Sequence, residues 1–481
     1  MADYLFPESF VFGWSQSGFQ SEMGFAGSED RGSDWYLWVH DSDNIETGLV
    51  SGDFPDNGPG YWDNFKVVHE AARGLHLKIA RIGVEWSRLF PMGPLEITEK
   101  SLNAFKAGEI KMLIDELDRH VNKRALNHYI TIFNDLREKG IKIIINLYHW
   151  SLPAWIHDPI KIRGGEATDK LGWLSSNIVD QFAIFAAYIA HKMNDLAVGF
   201  STMNEPNIIY KNGFQNLKSG FPPAILSIRN ATQARKNILK AHSLAYDLMK
   251  IVTDKPIGLI YSNTSFTPYD PEHDINAVEK ANFEEKWSFF DIIINGDVEL
   301  GISRRKLDWI GINYYSRTVV REEGNGFRRV PGFGQAGEKN AISSDSRPNS
   351  DFGWEFYPEG LEDVIMRYWN RYRLPIYITE NGIADRADYQ RPYYLVSHLV
   401  SVHNSIKQGA DVRGYLHWSL IDNYEWSSGF KQKFGLIGFD NDKKLQWRPS
   451  ALLYGEIAKM GAISEKFLHL NSIPPTYALR N

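Results

Sequence analysis

Arg124–Lys139, followed at once by Ile141-Lys-Ile-Ile-Ile-Asn-Leu-Tyr-His-Trp150, is the stretch whose reading decides the fold. The first segment reads as an amphipathic helix, the second as a β-branched run that ends in polar and aromatic residues. The same alternation recurs along the chain. Eight such runs appear: Phe10–Ser17, Ile79–Ser87, Ile141–Trp150, Val198–Glu205, Ile257–Asn263, Trp309–Ser316, Pro375–Asn381 and Val412–Asp422. Helical candidates stand between them, at Phe65–Leu77, Ser176–Met193, Ala231–Val252 and Leu361–Tyr372, with Tyr393–Lys407 and Pro449–Met460 after these. Apolar runs alternating with helices indicate βαβ units whose parallel strands are buried on both faces. Eight units predict a closed (β/α)8 barrel, an α/β fold, rather than an open sheet.

The chain has 481 residues, nearly twice the length of an ordinary barrel, so the excess must sit in insertions. One is Arg317–Phe356, rich in Gly, Arg and Ser; another is Pro91–Lys123, in which Glu99–Arg119 reads as helical. Loops that long inside a barrel are usually functional walls or lids. No internal repeat or linker appears, and residues 1–481 read as a single domain with long loop insertions.

Composition narrows the function. Hydrophobic residues make up 43%, enough for a large core, and the aromatics are numerous: 15 Trp, 23 Tyr and 27 Phe. Aromatic faces stack on the C–H faces of sugars, although large cores use them too. A net charge of -6 argues against nucleic acid as partner. Cysteine is absent, which removes disulfides and thiolate metal sites. Met1–Phe12 lacks the basic and apolar regions of a signal peptide, and Ile141–Trp150 is too short to cross a bilayer, so a cytoplasmic protein with no membrane partner is expected. His398 and His403, five apart on a helix, do not share a face as a metal pair would. No metal and no cofactor are expected.

In a barrel the active site forms where the strands end. Those ends carry Gln20, Arg81 with Glu85, His149, Asn204–Glu205, Asn313 with Tyr315, Glu380 and Trp418. Two carboxylates stand out, in Thr202-Met-Asn-Glu-Pro206 and Ile378-Thr-Glu-Asn-Gly382. Each motif alone also reads as an exposed turn, since Pro and Asn-Gly punctuate loops. Strand ends four and seven face one barrel mouth, however, and glycoside cleavage needs a carboxylic acid at the leaving oxygen and a carboxylate at the anomeric carbon.

The ordered blocks make the resemblance specific. Phe10-Val-Phe-Gly-Trp-Ser-Gln-Ser-Gly-Phe-Gln20, Arg81-Ile-Gly-Val-Glu-Trp-Ser-Arg-Leu-Phe-Pro91, Asn146-Leu-Tyr-His-Trp150, Thr202–Pro206, Trp309-Ile-Gly-Ile-Asn-Tyr-Tyr315, Tyr377–Gly382, Gly414–Trp426 and Phe434-Gly-Leu436 resemble glycoside hydrolase family 1 from end to end, most nearly its archaeal β-glycosidases. The resemblance implies a retaining β-glucosidase/β-galactosidase that takes a small β-glycoside through a covalent glycosyl-enzyme. It makes Glu205 the acid/base and Glu380 the nucleophile, their carboxyls about 5–5.5 Å apart, with Arg81, Tyr315 and Asn313 supporting Glu380.

By the same resemblance, Asn204 meets the 2-hydroxyl, Gln20, His149 and Trp426 the 3- and 4-hydroxyls, and Glu425 bridges O4 and O6. Trp418 forms the platform under the ring, its bond to Ser419 cis. Trp354 lines the aglycone side, and Phe434 is a further substrate-binding residue. The residues by themselves leave other readings open: His149 as a satisfied core histidine, Trp150 as packing, Arg81 paired only with Glu85, and Trp14, Trp86 and Trp309 as core. Family members that take 6-phosphorylated sugars carry Ser in place of Glu425 and Lys and Tyr in place of Gln432 and Phe434, so an unphosphorylated substrate is expected. Lys431 and Lys433 should point away from Gln432. A 6-phospho-β-glycosidase and a catalytically inactive sugar-binding module are the alternatives. A homo-oligomer, a tetramer, and high thermal stability are further expectations, the first because Phe467–Leu479 would otherwise expose an apolar patch.

Overall fold

The computed structural model describes residues 4–475. Eight strands build its centre: β1 Val11–Gln16, β2 Ile79–Gly83, β3 Lys142–Asn146, β4 Gly199–Asn204, β5 Ile257–Pro268, β6 Trp309–Glu323, β7 Ile376–Asn381 and β8 Val412–His417. Each pairs in parallel with its neighbours in sequence, and β8 pairs with β1, so the sheet closes into the expected (β/α)8 barrel. A helix follows every strand: α1 Tyr61–Gly74, α2 Lys123–Glu138, α3 Ile178–Lys192, α4 Ile228–Val252, α5 Ser288–Asn295, α6 Glu359–Tyr372, α7 Arg391–Lys407 and α8 Pro449–Met460.

The strands are apolar on both sides because both sides are covered. On β3, Ile143 and Ile145 face the helical layer, while Ile144 points inward to meet Ile79, Ile260, Trp309 and Leu416 from other strands. Trp309 fills that interior so tightly that a Cβ on Gly258 would lie 2.1 Å from its ring. The core reading of Trp14, Trp86 and Trp309 therefore holds. Helix α3, buried over most of its surface, packs against α4 and is apolar nearly all round for that reason.

Some strands of the barrel stop earlier than the apolar runs suggest, while β5 and β6 run past them to Pro268 and Glu323. β2, β3 and β8 stop at Gly83, Asn146 and His417, although Val84, Leu147 and Leu420 beyond them are also buried. Val84 and Leu147 still donate to the neighbouring strands, to Asn146 O at 3.1 Å and Ser201 O at 3.0 Å, one residue past the regular ladder. The expected helix Glu99–Arg119 is two helices, Glu99–Lys106 and Lys111–His120, divided where Gly108 takes φ +92°. Within the insertion 317–356, β6 runs on to Glu323 and turns back antiparallel through the strand Gly326–Arg329. Between β5 and α5 lie a helix, Ile275–Asn282, and a π-turn, Phe283–Trp287, neither of which the sequence patterns indicate.

Two register shifts decide the site. Ser201 pairs with Gly258 and Asn204 with Ile260, so β4 carries one extra residue just before Glu205. Ile312 pairs with Ile378 and Asn313 with Glu380, so β7 carries one just before Glu380. Bulges of this kind re-aim the side chain that follows them.

Candidate active site

The carboxyl ends of the strands open into a cleft of about 660 Å³. Ten of the residues singled out in the sequence line it: Gln20, His149, Glu205, Tyr315, Trp354, Glu380, Trp418, Glu425, Trp426 and Phe434. Arg81, Asn204 and Asn313 are fully buried and stand behind that wall.

Glu380, at the end of β7, forms an ion pair with the Arg81 guanidinium and accepts a hydrogen bond from the Tyr315 hydroxyl at 2.6 Å. Arg81 is held from several sides. Its Nε donates to Ser15 Oγ at 3.1 Å and its Nη1 to Asn204 Oδ1 at 3.3 Å. Glu85 is occupied elsewhere, accepting from the Phe19 N–H at 2.9 Å and from the Ser151 hydroxyl. The alternative in which Arg81 pairs only with Glu85 is thus corrected: after two residues the strand has ended, and Glu85 faces the loops that follow β1 and β3.

Glu205 follows the β4 bulge with φ +47°, a left-handed conformation. Its N–H donates to Ile260 O at 2.8 Å, and Asn313 Nδ2 donates to its Oε1 at 2.8 Å. Thr379 Oγ donates to Asn313 Oδ1 at 2.7 Å, which fixes the amide the right way round. The same amide donates to Asn204 Oδ1 at 3.0 Å, so Asn313 ties Glu205 to the residue before it. Trp150 (φ +75°) and Trp426 (φ +48°) share the left-handed region with Glu205, and all three line the cleft. Such conformations cost about 1–3 kcal/mol each and cluster at functional sites.

Charge separates the two carboxyls. Burial and then the nearby negative charge of Glu380 push Glu205 up to about 8. Burial pushes Glu380 upward too, but Arg81 and the Tyr315 hydroxyl both oppose it. Of two close carboxyls, the one on the guanidinium gives up its proton first. Glu380 is therefore the member of the pair that ionises first, and Glu205 the one that keeps its proton.

His149 is not a self-satisfied core residue. Arg81 Nη1 lies 3.0 Å from its Nδ1, and Arg81 has only protons to offer. Burial, then the charge of Arg81, hold the ring neutral, well below the ordinary histidine range. The ring proton accordingly sits on Nε2, 3.1 Å from Asn204 Nδ2. Two donors side by side want a common oxygen acceptor.

Across the mouth, Gln20 Nε2 faces Asn423 Oδ1 at 3.2 Å, Tyr424 O at 2.9 Å and Glu425 Oε2 at 3.3 Å. Burial first, then Glu380, push Glu425 up to about 8. Neither Lys431, Gln432 nor Lys433 lines the cleft, and the Lys433 ammonium lies over the Phe439 ring.

Aromatics make the remaining wall. Trp418, joined to Ser419 by the expected cis bond, lies 5.8 Å from the His149 ring, nearly parallel to it. Trp426 stacks on Phe19 at 5.6 Å and meets Trp150 at 4.7 Å. Tyr315, Phe352, Trp354 and Phe434 cluster on the other side. The sequence reading missed Phe352 and Asn207, and it left Trp150 as possible packing. Trp150 and Phe352 belong to the aromatic excess, which carries no positional information; Asn207 sits two residues after Glu205 and was available to a closer look.

The tail departs from expectation in part. Phe467, Leu468 and Leu470 pack against the protein's own core, with Ser397 Oγ donating to Leu470 O at 3.3 Å, so this stretch of Phe467–Leu479 is not a free patch. Residues 476–479 lie outside the described residues. Among the described residues, no helix is long and apolar enough to cross a membrane.

The geometry has close parallels. The family model for glycosyl hydrolase family 1 matches residues 2–121, 117–300 and 299–462. A β-galactosidase of Saccharolobus solfataricus is 54% identical over 497 residues, covering 99% of this chain and 100% of that one. The crystal structure of the β-glycosidase from the hyperthermophile Thermosphaera aggregans superposes with a TM-score of 0.89 at 43% identity, over 98% and 100% of the two chains. A mutant β-glucosidase derived from a hyperthermophilic tetrameric structure gives 0.88 at 44%, over 97% and 98%. A barrel mouth with two buried carboxylates split by one guanidinium, matched from end to end by these relatives, places the chain in glycosyl hydrolase family 1.

Proposed function

We propose that this protein is a retaining β-glycosidase that removes unphosphorylated, non-reducing terminal β-linked glucose or galactose by double displacement. The observation that carries the reading is the unequal pair: Glu380 on Arg81 and Tyr315, Glu205 buried without a cation of its own. In the first step the Glu380 carboxylate attacks the anomeric carbon while Glu205 protonates the departing glycosidic oxygen. The ester that forms consumes the charge on Glu380, so the negative neighbour that held up Glu205 disappears. Glu205, having lost its proton, then takes one from water, whose oxygen attacks the same carbon and releases Glu380 as carboxylate. A retaining pair needs no water between its carboxyls, so those of Glu205 and Glu380 should stand about 5–5.5 Å apart, against roughly 6.5–9.5 Å for inversion.

His149 Nε2–H and Asn204 Nδ2 would donate to ring hydroxyls, Trp418 would carry the apolar face of the sugar, and Trp354 and Phe434 would flank the aglycone. Glu425, held by Gln20, would bridge O4 and O6. One carboxyl there meets an axial or an equatorial 4-hydroxyl, which suits both galactosides and glucosides, and it repels a 6-phosphate once it ionises, above about 8. An inactive sugar-binding module has no use for two carboxyls held apart in protonation.

The roles are tested by azide. Glu380→Gly should lose activity on every substrate, with azide restoring cleavage and giving the α-glycosyl azide. Glu205→Ala should still react with substrates carrying good leaving groups, and azide should give the β-product. The same anomer from both variants would refute the assignment. A homotetramer of high thermal stability fits the tetrameric and hyperthermophilic relatives; light scattering that shows a monomer at micromolar concentration would remove the tetramer.

A further inference from the structure

Helix Pro206–Phe214 leads directly out of Glu205 and puts Lys211 on the cleft wall. Two further elements bring cations to the same side: the π-turn Phe283–Trp287 contributes Lys286, and the hairpin strand Gly326–Arg329 contributes Arg329. These elements belong to the β4, β5 and β6 side of the mouth, opposite the Gln20–Glu425 pair on β1 and β8. Among the described residues of the wall, Glu285 is the one acidic side chain on this side beyond Glu205. It is already engaged, by Lys211 and by Arg329 at 3.6 Å.

Lys286 is the unusual member. It is 2% exposed, yet a buried ammonium ordinarily requires a paired charge. Its Nζ donates to Thr264 O at 2.7 Å and to Asn282 Oδ1 at 2.9 Å, and it lies 5.1 Å from the Phe266 ring centre. Two oxygens use two of its three protons. The charged groups around it come from three elements: Glu285 beside it, Glu279 on the helix Ile275–Asn282, and Asp363 with Arg367 on α6. Arg367 takes up both of the more distant carboxylates, Asp363 at 2.8 Å and Glu279 at 3.1 Å. Burial, against the pull of Asp363 and with the push of Arg367, holds Lys286 down to about 7. A cation so placed gains from an anion in the cleft.

We propose that Lys286, with Lys211 and Arg329, forms an outer subsite that selects β-glycosides whose aglycone carries a carboxylate, such as a sugar acid. The inference rests on the proposed glycosidase reading, since the leaving group departs on the Glu205 side, where these cations stand. The carboxylate would add a charge-assisted contact to Lys286 without touching the sugar in the inner site.

The test compares cellobionate with cellobiitol, two glucosides that differ only in a carboxylate against a hydroxymethyl at the far end of the aglycone. The kcat/KM ratio should favour cellobionate roughly ten- to a hundredfold, the weight of a charge-assisted hydrogen bond. It should fall toward one in Lys286→Met, drop about two- to fivefold in the exposed Arg329→Gln, shrink with added sodium chloride, and decline as the pH rises through about 7. Both catalytic carboxyls act on both substrates, so the ratio isolates the outer site. If Lys286→Met does not fold, Arg329→Gln and the salt series still decide. A wild-type ratio of one or below, or a preference untouched by both variants, salt and pH, overturns the subsite while leaving the glycosidase reading intact. Failure to cleave cellobiitol and aryl β-glucosides alike overturns that reading, and the subsite with it.

Discussion

Tyr315→Phe removes one hydroxyl and leaves the ring, whose contacts with Trp354 at 5.1 Å and Phe434 at 5.9 Å remain. What is lost is the 2.6 Å hydrogen bond to Glu380 Oε2. A hydrogen bond to a charged partner is worth about 1.5–3 kcal/mol, and one pKa unit corresponds to about 1.4 kcal/mol. Glu380 should therefore rise by roughly one to two units. The sign is upward because the phenol favours the ionised carboxylate. Arg81 still holds the charge, so activity survives. The acid limb of kcat/KM against pH, measured with an aryl β-glucoside, should move to higher pH by that amount, narrowing the bell from below. The alkaline limb, set by Glu205 at about 8, should move much less. An acid limb that stays within ~0.3 units of wild type would show that the Tyr315 bond does not govern ionisation of the nucleophile. Movement of the alkaline limb alone would mean that the two carboxyls have their roles exchanged.

Two further outcomes follow from the same site. Glu425→Ser removes the carboxyl beside Gln20, so KM should rise on both β-glucosides and β-galactosides, and above about pH 8, where Glu425 is ionised, repulsion of 6-phosphorylated substrates is relieved; unchanged kinetics on all three would take Glu425 out of the sugar site. Glu205→Gln should stabilise the fold in a pH-dependent way. Glu205 is raised from 4.5 to about 8 in the folded protein, so its stability contribution is fully present below 4.5 and is lost as pH rises toward 8. The melting temperature of the glutamine variant should exceed that of wild type by an amount that grows between those values and then levels off; a gain that is constant with pH would contradict the buried, raised carboxyl.

The barrel was legible because its strands are covered on both faces. Ile143, Ile144 and Ile145 are all apolar where a one-sided strand would alternate, and the repeat of that pattern eight times leaves few architectures. The hairpin Gly326–Arg329 and the π-turn at Phe283–Trp287 were not, since neither carries a periodic apolar face long enough to stand out from a loop. For the site, local sequence supplied the residue types and their order: Asn204–Glu205 after strand four, Glu380 after strand seven, Gln20 and Glu425 on either side of the closure. Only the tertiary structure decided their chemistry. The bulges in β4 and β7 that re-aim the two carboxyls arise from mismatched register between neighbouring strands, a property of pairs of segments and of neither one alone. Arg81 stands four residues from Glu85 and 299 from Glu380 along the chain, yet it pairs with the distant carboxylate because β2 and β7 point into the same closed interior. The proton's place on Glu205 likewise follows from burial and from the charge across the cleft, which exist only once the barrel has closed.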